Sequence, residues 1–301
     1  MTAMFTGLSA FPLTPLSNDR LDEQAFTSLV QRLAQADVDS ITALGSTGSY
    51  AYLSAEERAR VSHLAVEHAG GTPVFVGVGA LRTSQVLTHA TAAEQAGAAG
   101  LLLAPMTYQR LTDSDVFELF RTVTEHTELP VIVYDNPGTT HFTFSLELYE
   151  RLALLPGIAS IKIPGVPMHP AEARAHVDRI RAVLRDDVTI GVSGDASAAT
   201  GLNAGCDAWY SVIGGTLPEL AIRITRAAQA GQTATAAAES ERLTPLWDLF
   251  TEFGGSFRVV AAIAEQLGLA TRSSIPLPLR GLDDAQRDRL AAVVDGLGIR
   301  A

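Results

Sequence analysis

Short apolar segments alternate with longer amphipathic segments along most of the chain. The apolar segments have the length of buried strands, and they recur roughly every 20–35 residues, which suits a repeated strand–helix unit. They predict strands over 6–11, 40–44, 73–78, 100–104, 130–135, 158–163, 188–193 and 208–212. The amphipathic segments predict helices near 22–36, 54–69, 83–96, 113–126, 145–154, 170–184, 195–204 and 216–230.

Eight strand–helix units predict an α/β fold, a closed (β/α)8 TIM barrel, over residues 1–230. An open doubly wound sheet has the same alternation, but it gathers its ligand contacts at one switch point, often with Gly-x-Gly-x-x-Gly after the first strand. Here that motif is missing after the first strand, and polar residues follow several strands. The alternation stops after residue 231, and helices near 232–252, 256–268 and 284–297 predict a C-terminal extension over 231–301 that packs on the barrel.

One lysine, Lys162, interrupts the sixth apolar segment, and the other cationic side chains, apart from seven histidines, are all arginines. Arginine stays protonated, whereas a desolvated lysine can lose its proton and attack a carbonyl carbon. A lysine near a strand end can also simply extend its amine to solvent. Because the chain avoids lysine everywhere else, we expect Lys162 to be a Schiff-base nucleophile.

The ends of several predicted strands carry polar residues, and in a TIM barrel these ends face one active site. Gly45–Ser49 follows strand two, Tyr134 ends strand five and Ser193–Asp195 follows strand seven. A Gly-Ser-Thr-Gly turn offers backbone N–H groups and two hydroxyls to a carboxylate, and a tyrosine can move the protons of a carbinolamine. Tyr108 follows strand four and Tyr210 lies in strand eight. Each segment alone also suits a turn, a helix cap or a buried tyrosine, but together they predict a shared cavity.

The composition excludes several classes of function. A net charge of -11 disfavours non-specific binding to nucleic acids or anionic membranes, and no apolar run approaches the roughly 20 residues that span a bilayer. The single cysteine, Cys206, excludes an internal disulfide and is typical of a reducing compartment. Residues 1–20 lack the pattern of a signal peptide. We therefore expect a soluble, cytoplasmic protein with small-molecule substrates and no nucleic-acid or membrane partner.

In combination, these residues resemble the dihydrodipicolinate synthase and N-acetylneuraminate lyase family of class I, Schiff-base-forming aldolases. The resemblance covers most of the chain and rests on Thr14-Pro15, Gly45-Ser46-Thr47-Gly48, Tyr134 with Pro137, Lys162, Ser193-Gly194-Asp195 and the helical tail. It implies that Lys162 forms an imine with pyruvate or a related 2-oxo acid. It also implies that Tyr134 is the general acid/base and that Ser46 relays protons.

Further roles concern substrate binding and assembly. The resemblance implies that Thr47 holds the substrate carboxylate, and we place Gly48 beside it. Thr139, Gly194 and Tyr210 complete the substrate-binding residues that we predict. By resemblance, Tyr108, with Thr107 as the alternative, is the relay tyrosine that a neighbouring subunit lends. The family also implies a homotetramer, built as a dimer of dimers, and we expect no cofactor.

Three departures from the family pattern affect the expected substrate. The family's Gly-Thr-Thr-Gly-Glu ends in Ser49 here, and Ile163 replaces an acid that the synthase carries after its lysine. Thr139 falls at or next to the arginine with which the synthase binds the carboxylate of aspartate semialdehyde, and threonine cannot make that bidentate contact. We therefore expect aldol cleavage or condensation of a 2-oxo acid and an aldehyde, and we disfavour 4-hydroxy-tetrahydrodipicolinate synthesis. Dehydration of a 2-oxo-3-deoxy sugar acid uses the same imine and stays open.

Two other classes of function fit the sequence less well. A metal-dependent aldolase or hydrolase would need histidines paired with acids at strand ends, but His63, His68, His169 and His176 lie on or beside helices, so no metal is predicted. His141, in the predicted loop after strand five, is placed near the distal end of the substrate. A non-catalytic sensor would leave Lys162 unexplained, because binding a 2-oxo acid needs no covalent bond.

Overall fold

Eight parallel strands form a closed barrel in the computed structural model, which describes residues 2–300. Each strand pairs with the next one along the chain, and the first also pairs with the last, so the predicted TIM barrel is confirmed. The barrel strands are β1 (Gly7–Ala10), β2 (Ser40–Ala43), β3 (Val74–Gly77), β4 (Gly100–Leu103), β5 (Val131–Tyr134), β6 (Ile158–Ile163), β7 (Thr189–Val192) and β8 (Ala208–Ser211).

A helix follows every barrel strand and covers its outer face. These helices are α1 (Glu23–Gln35), α2 (Ala55–His68), α3 (Thr83–Ala96), α4 (Asp113–His126), α5 (Leu146–Ala153), α6 (Pro170–Arg181), α7 (Ala198–Asn203) and α8 (Pro218–Gln229). Capping boxes begin α2 at Ser54 with Glu57, and α4 at Thr112 with Asp115, because each side chain binds the other residue's backbone N–H. The first turns of these helices therefore lie where the predicted helices near 54–69 and 113–126 begin.

Shorter elements occupy the connections between strands and helices. A two-stranded hairpin, Leu16–Ser17 with Arg20–Leu21, follows β1 and is absent from the sequence prediction. Single helical turns cover Thr2–Phe5, Tyr50–Tyr52, Pro137–Thr140, Asp195–Ser197 and Ile213–Gly215. The segment predicted as an open loop after strand five thus begins with a helical turn, which ends at His141 in a left-handed conformation with φ 56°.

The described part of the C-terminal segment, up to residue 300, contains four helices and not the three predicted. They are α9 (Thr233–Arg242), α10 (Thr244–Glu252), α11 (Ser256–Gln266) and α12 (Asp284–Gly296). The single helix predicted over 232–252 is wrong because Pro245 in the first turn of α10 has no N–H to continue the preceding helix, which ends before Leu243. The division into a barrel over 1–230 and an extension over 231–301 stays a prediction.

Two apolar layers hold the barrel together. The larger layer lies between the strands and the surrounding helices and includes Ile161 and Ile163 of β6. The smaller layer fills the barrel interior, where Phe5 stacks on Phe75 with ring centroids 4.9 Å apart. No helix among residues 2–300 is long and apolar enough to cross a bilayer.

Gly77, the last residue of β3, leaves room for the turn that follows β2. A Cβ atom at this position would lie 1.8 Å from the carbonyl oxygen of Leu44. Leu44 itself has a left-handed φ of 58° and leads into Ser46 and Thr47. The close approach of two backbones therefore sets the position of two predicted site residues.

We expect Gly77→Ala to displace this turn and to lower the free energy of unfolding by about 1–3 kcal/mol, the usual cost of overpacking. Urea titration followed by circular dichroism measures the change. Gly296→Ala is the matched control, because nothing lies within 4 Å of the Cβ that it would add. Equal stability of the two variants would show that the turn is free to move.

Candidate active site

A cavity of about 550 Å³ opens at the carboxyl ends of the barrel strands. It brings together side chains from strand ends that are far apart in the sequence, as predicted. The predicted site residues that line it are Ser46, Thr47, Tyr134, Thr139, Lys162 and Gly194.

Lys162 projects into the barrel from β6 and is almost fully buried, with 4% of its surface exposed. Strand alternation explains the direction, because its neighbours Ile161 and Ile163 pack outward against the helices. The amine lies 4.2 Å from the ring centroid of Tyr134 and 5.3 Å from that of Phe11. Burial lowers the pKa of Lys162, and the negative groups around it, Tyr134 when ionised among them, only partly oppose this shift. The amine is thus desolvated but still borders the cavity.

Tyr134 lies beside Lys162 because the parallel register of β5 and β6 pairs these two residues. Its hydroxyl is 3.2 Å from the hydroxyl of Ser46, within hydrogen-bond distance. The side-chain amide of Asn136 donates a second hydrogen bond to the Tyr134 hydroxyl at 2.8 Å. The predicted neighbours of the lysine are therefore in contact, and Asn136 is a further partner that the sequence analysis missed.

The turn after β2 presents Ser46 and Thr47 to the cavity, whereas Gly48 lies behind them. A Cβ atom at Gly48 would be 2.9 Å from the backbone nitrogen of Leu44, so this glycine allows the turn to fold tightly. Gly48 is not among the cavity-lining residues. Its predicted contact with substrate is corrected to a conformational role in the turn.

Asp195 is buried at the floor of the cavity and accepts four hydrogen bonds. The donors are the indole of Trp209, the hydroxyl of Ser211 and the backbone N–H groups of Val212 and Ile213. Burial raises the pKa of Asp195, and these hydrogen bonds oppose the shift. The carboxyl group therefore fastens the end of β8 to the turn after β7, a role that its sequence position did not reveal.

Tyr210 does not reach the cavity, so its predicted role in substrate binding is corrected. Its side chain is buried inside the barrel, and its hydroxyl donates to the hydroxyl of Ser160 at 2.7 Å. Ser160 points the same way as Lys162 but lies two residues earlier in β6. Tyr210 thus fills the layer of side chains below the lysine.

Tyr108 lies outside this cavity, with 90% of its surface exposed. With Thr107, Arg110 and His141 it lines a separate cleft of about 530 Å³. Within one chain the structure does not bring Tyr108 to Lys162. Its relay role requires a second copy of the chain and stays a prediction.

The far wall of the cavity comes from the C-terminal helices. Trp247 and Phe250 of α10 and Phe257 of α11 form this wall, and Gly254–Gly255 connects the two helices. The sequence analysis missed these residues, although the glycine pair between two helical patterns marks the connection. Among the described residues that line the cavity, Lys162 is the only one with a cationic side chain.

No group of three or more His, Cys, Asp and Glu side chains within residues 2–300 is arranged to hold a metal ion. The acids near the lysine are instead held by hydrogen bonds, Asp195 by the four donors above and Asp135 by Tyr149.

Relatives found by sequence and by structure belong to the same family and cover nearly the whole chain. A sequence profile of the dihydrodipicolinate synthetase family matches residues 4–297. The 4-hydroxy-tetrahydrodipicolinate synthase of Halorhodospira halophila is 31% identical over 98% of both chains. The crystal structure of dihydrodipicolinate synthase from Agrobacterium tumefaciens superposes with a TM-score of 0.94 at 44% identity, over 98% of this chain and 99% of that chain.

A third relative is described with a ligand. The chloride-inhibited dihydrodipicolinate synthase from Acinetobacter baumannii, solved as a complex with pyruvate, superposes with a TM-score of 0.88 at 26% identity, over 98% of this chain and 99% of that chain. The resemblance seen in the sequence motifs is thereby confirmed. The chain belongs to the dihydrodipicolinate synthetase family and is a lyase of the class I, Schiff-base-forming aldolase type.

Proposed function

We propose that this enzyme joins pyruvate, or a related 2-oxo acid, to an aldehyde, or reverses that reaction, through an imine on Lys162. The observation that carries the proposal is the chain's one lysine, buried beside an open cavity with its pKa lowered by burial. A 2-oxo acid is the expected first substrate because one relative is described in complex with pyruvate. Thr47 would hold its carboxylate.

The proposed chemistry begins with attack of the neutral Lys162 amine on the C2 carbon of the 2-oxo acid. Tyr134 moves a proton from the nitrogen to the former carbonyl oxygen, which gives a carbinolamine. A second proton, donated by Tyr134, converts the carbinolamine hydroxyl to water. The water leaves, and a cationic imine remains. Ser46, 3.2 Å from the Tyr134 hydroxyl, supports this role as the next group in the relay. Loss of a C3 proton then gives the enamine that attacks the aldehyde.

We infer that the aldehyde carries no carboxylate. Apart from the lysine itself, the described cavity lining has no cationic side chain, and Thr139 offers only a hydroxyl where a carboxylate would need a bidentate arginine. Curated relatives are named 4-hydroxy-tetrahydrodipicolinate synthase, but that activity is disfavoured for this chain. A 2-oxo-3-deoxy sugar acid dehydratase is the second candidate, favoured by the hydroxyls of Thr139, Ser193, Ser197 and Thr251 around the cavity.

The proposal also covers the oligomeric state of the protein, the role of Gly194 and the location in the cell. The exposed Tyr108 supports a relay lent to a neighbouring copy, as in a homotetramer made of two dimers. Gly194, on the cavity wall, would contact the substrate through its backbone. The cytoplasmic location expected from composition stays a prediction.

We expect Lys162→Arg to abolish imine formation without unfolding the protein, because a guanidinium does not lose its proton. Intact mass spectrometry after incubation with pyruvate and borohydride measures the adduct. The double variant Lys162→Arg/Arg300→Lys again has one lysine, but on the surface, since Arg300 is exposed. It shows whether any exposed lysine can be trapped under the same conditions. A full adduct on either variant would contradict the assignment.

We expect Tyr134→Phe to slow turnover by about 10²–10⁴-fold, the usual contribution of a positioned acid/base. The rate of trapped imine formation should fall as well, because both proton transfers precede the imine. Tyr52→Phe is the matched control, since this tyrosine is half exposed and lies outside the cavity. A wild-type rate in Tyr134→Phe would assign the proton transfers to another group.

We expect aspartate semialdehyde to react with the pyruvate imine about 10–100-fold less efficiently than an uncharged aldehyde of similar length, since a hydrogen bond to a charged group is worth about 1.5–3 kcal/mol. Values of kcat/KM for the two aldehydes test this. Thr139→Arg should narrow the difference. Efficient use of aspartate semialdehyde by the wild type would restore the disfavoured synthase activity.

A further inference from the structure

Asp135, directly after β5, holds a buried carboxyl group on the side of the strand opposite the cavity. Only 4% of the residue is exposed, and it lines a small pocket below α5 and α6 and not the catalytic cavity. One carboxyl oxygen accepts a 2.5 Å hydrogen bond from the hydroxyl of Tyr149 on α5. The other oxygen, Oδ1, is buried without any hydrogen-bond partner.

A buried carboxyl group without a cation in contact is costly, so its presence calls for an explanation. Burial raises the pKa of Asp135 to about 6, although the Tyr149 hydrogen bond and the charge of Lys162 oppose this shift. From α6, His176 and Arg179 line the same pocket, but the one hydrogen-bond partner of the Asp135 carboxyl group among the described residues is Tyr149. The pKa of His176 is itself lowered by burial and by the charge of Arg179, which disfavours the cationic form of this histidine. The carboxyl group thus changes its charge near neutral pH.

The backbone connects Asp135 closely to the reacting amine. Its N–H donates to the carbonyl oxygen of Lys162 at 3.0 Å, and it is the residue after Tyr134. Ionised Tyr134 and Asp195 raise the pKa of Lys162 most, and the Asp135 charge adds to them, so all three act against the effect of burial. Asp195 already accepts four hydrogen bonds, whereas half of the Asp135 carboxyl group accepts none.

We propose that Asp135 is a positioning residue whose ionised carboxylate, behind β5 and β6, favours the cationic imine of Lys162 over the neutral amine. The inference rests on the proposed imine chemistry. A neutral amine, a ketone and one proton give an iminium ion and water, so the site gains one positive charge in that step. A fixed negative charge nearby stabilises the product of the step, and a protonated Asp135 does not.

The test compares Asp135→Asn with the wild type. The substitution preserves shape, and its amide oxygen can still accept the Tyr149 hydroxyl, so the charge is lost and an NH2 group takes the place of the unpartnered oxygen. At pH 8 we expect the pyruvate concentration that gives half-maximal borohydride-trapped adduct to rise about two- to fivefold, a modest change because Asp135 is the weakest of the charges that oppose burial at Lys162. As the pH falls from 7 towards 5, the difference should vanish because wild-type Asp135 becomes protonated.

Tyr149→Phe is the companion variant and remains informative if Asp135→Asn does not fold. It removes the hydrogen bond that lowers the pKa of Asp135, so the loss of pyruvate affinity with falling pH should begin at a higher pH than in the wild type. If protonation of Lys162 alone caused the loss of affinity, the onset would lie at the same pH in Tyr149→Phe and in the wild type. Circular dichroism reports whether the variants are folded.

The outcomes separate the two proposals. An Asp135→Asn difference that is constant from pH 5 to pH 8, or an unchanged affinity, overturns the role of Asp135 and leaves the imine intact. An unshifted onset in Tyr149→Phe overturns it as well. Failure to trap any adduct on the wild type overturns the proposed function itself.

Discussion

An ammonium group that moves from water into a protein interior loses several kcal/mol of hydration, and the chemistry of this site depends on that loss. Lys162 is held inside the barrel between the rings of Tyr134 and Phe11, where its charged form is disfavoured. The same burial would prevent the cationic imine from forming if nothing opposed it. Ionised Tyr134, Asp195 and Asp135 partly oppose the effect of burial, and in the proposed mechanism they allow the cationic imine to form on an amine that is still uncharged enough to attack.

The barrel places the amine and the nearby carboxyl group on opposite faces of two neighbouring strands. Because side chains alternate along a strand, Tyr134 and Lys162 face inward together, whereas Asp135 faces the helices. In the proposed mechanism the Tyr134 hydroxyl meets the substrate directly, and the Asp135 carboxylate acts through the strand without contacting it. Asp195 reaches the same region from β7 and is fixed by its own hydrogen bonds to the end of β8.

Reaction type and substrate choice lie on different parts of the chain. The barrel carries the lysine, the tyrosine and the Ser46–Thr47 turn. The position of this turn depends on its close packing against β3. The far wall belongs to α10 and α11, and in the proposed reaction their aromatic side chains and the intervening glycine pair limit the space for the second substrate. Family members can therefore share the imine while differing in the second substrate.

Local sequence determined the strands, most of the helices and the place of the one lysine within a buried strand, because buried strands and capping boxes are signalled by neighbouring residues. It also determined that Tyr134 and Ser46 lie at strand ends. Depth within the barrel was decided only by the tertiary structure: Tyr210 meets Ser160 one layer below Lys162 because that depth depends on the stagger between strands distant in sequence. The aromatic wall and the Asp135 carboxyl group are likewise tertiary, since helix packing and burial bring them to the site.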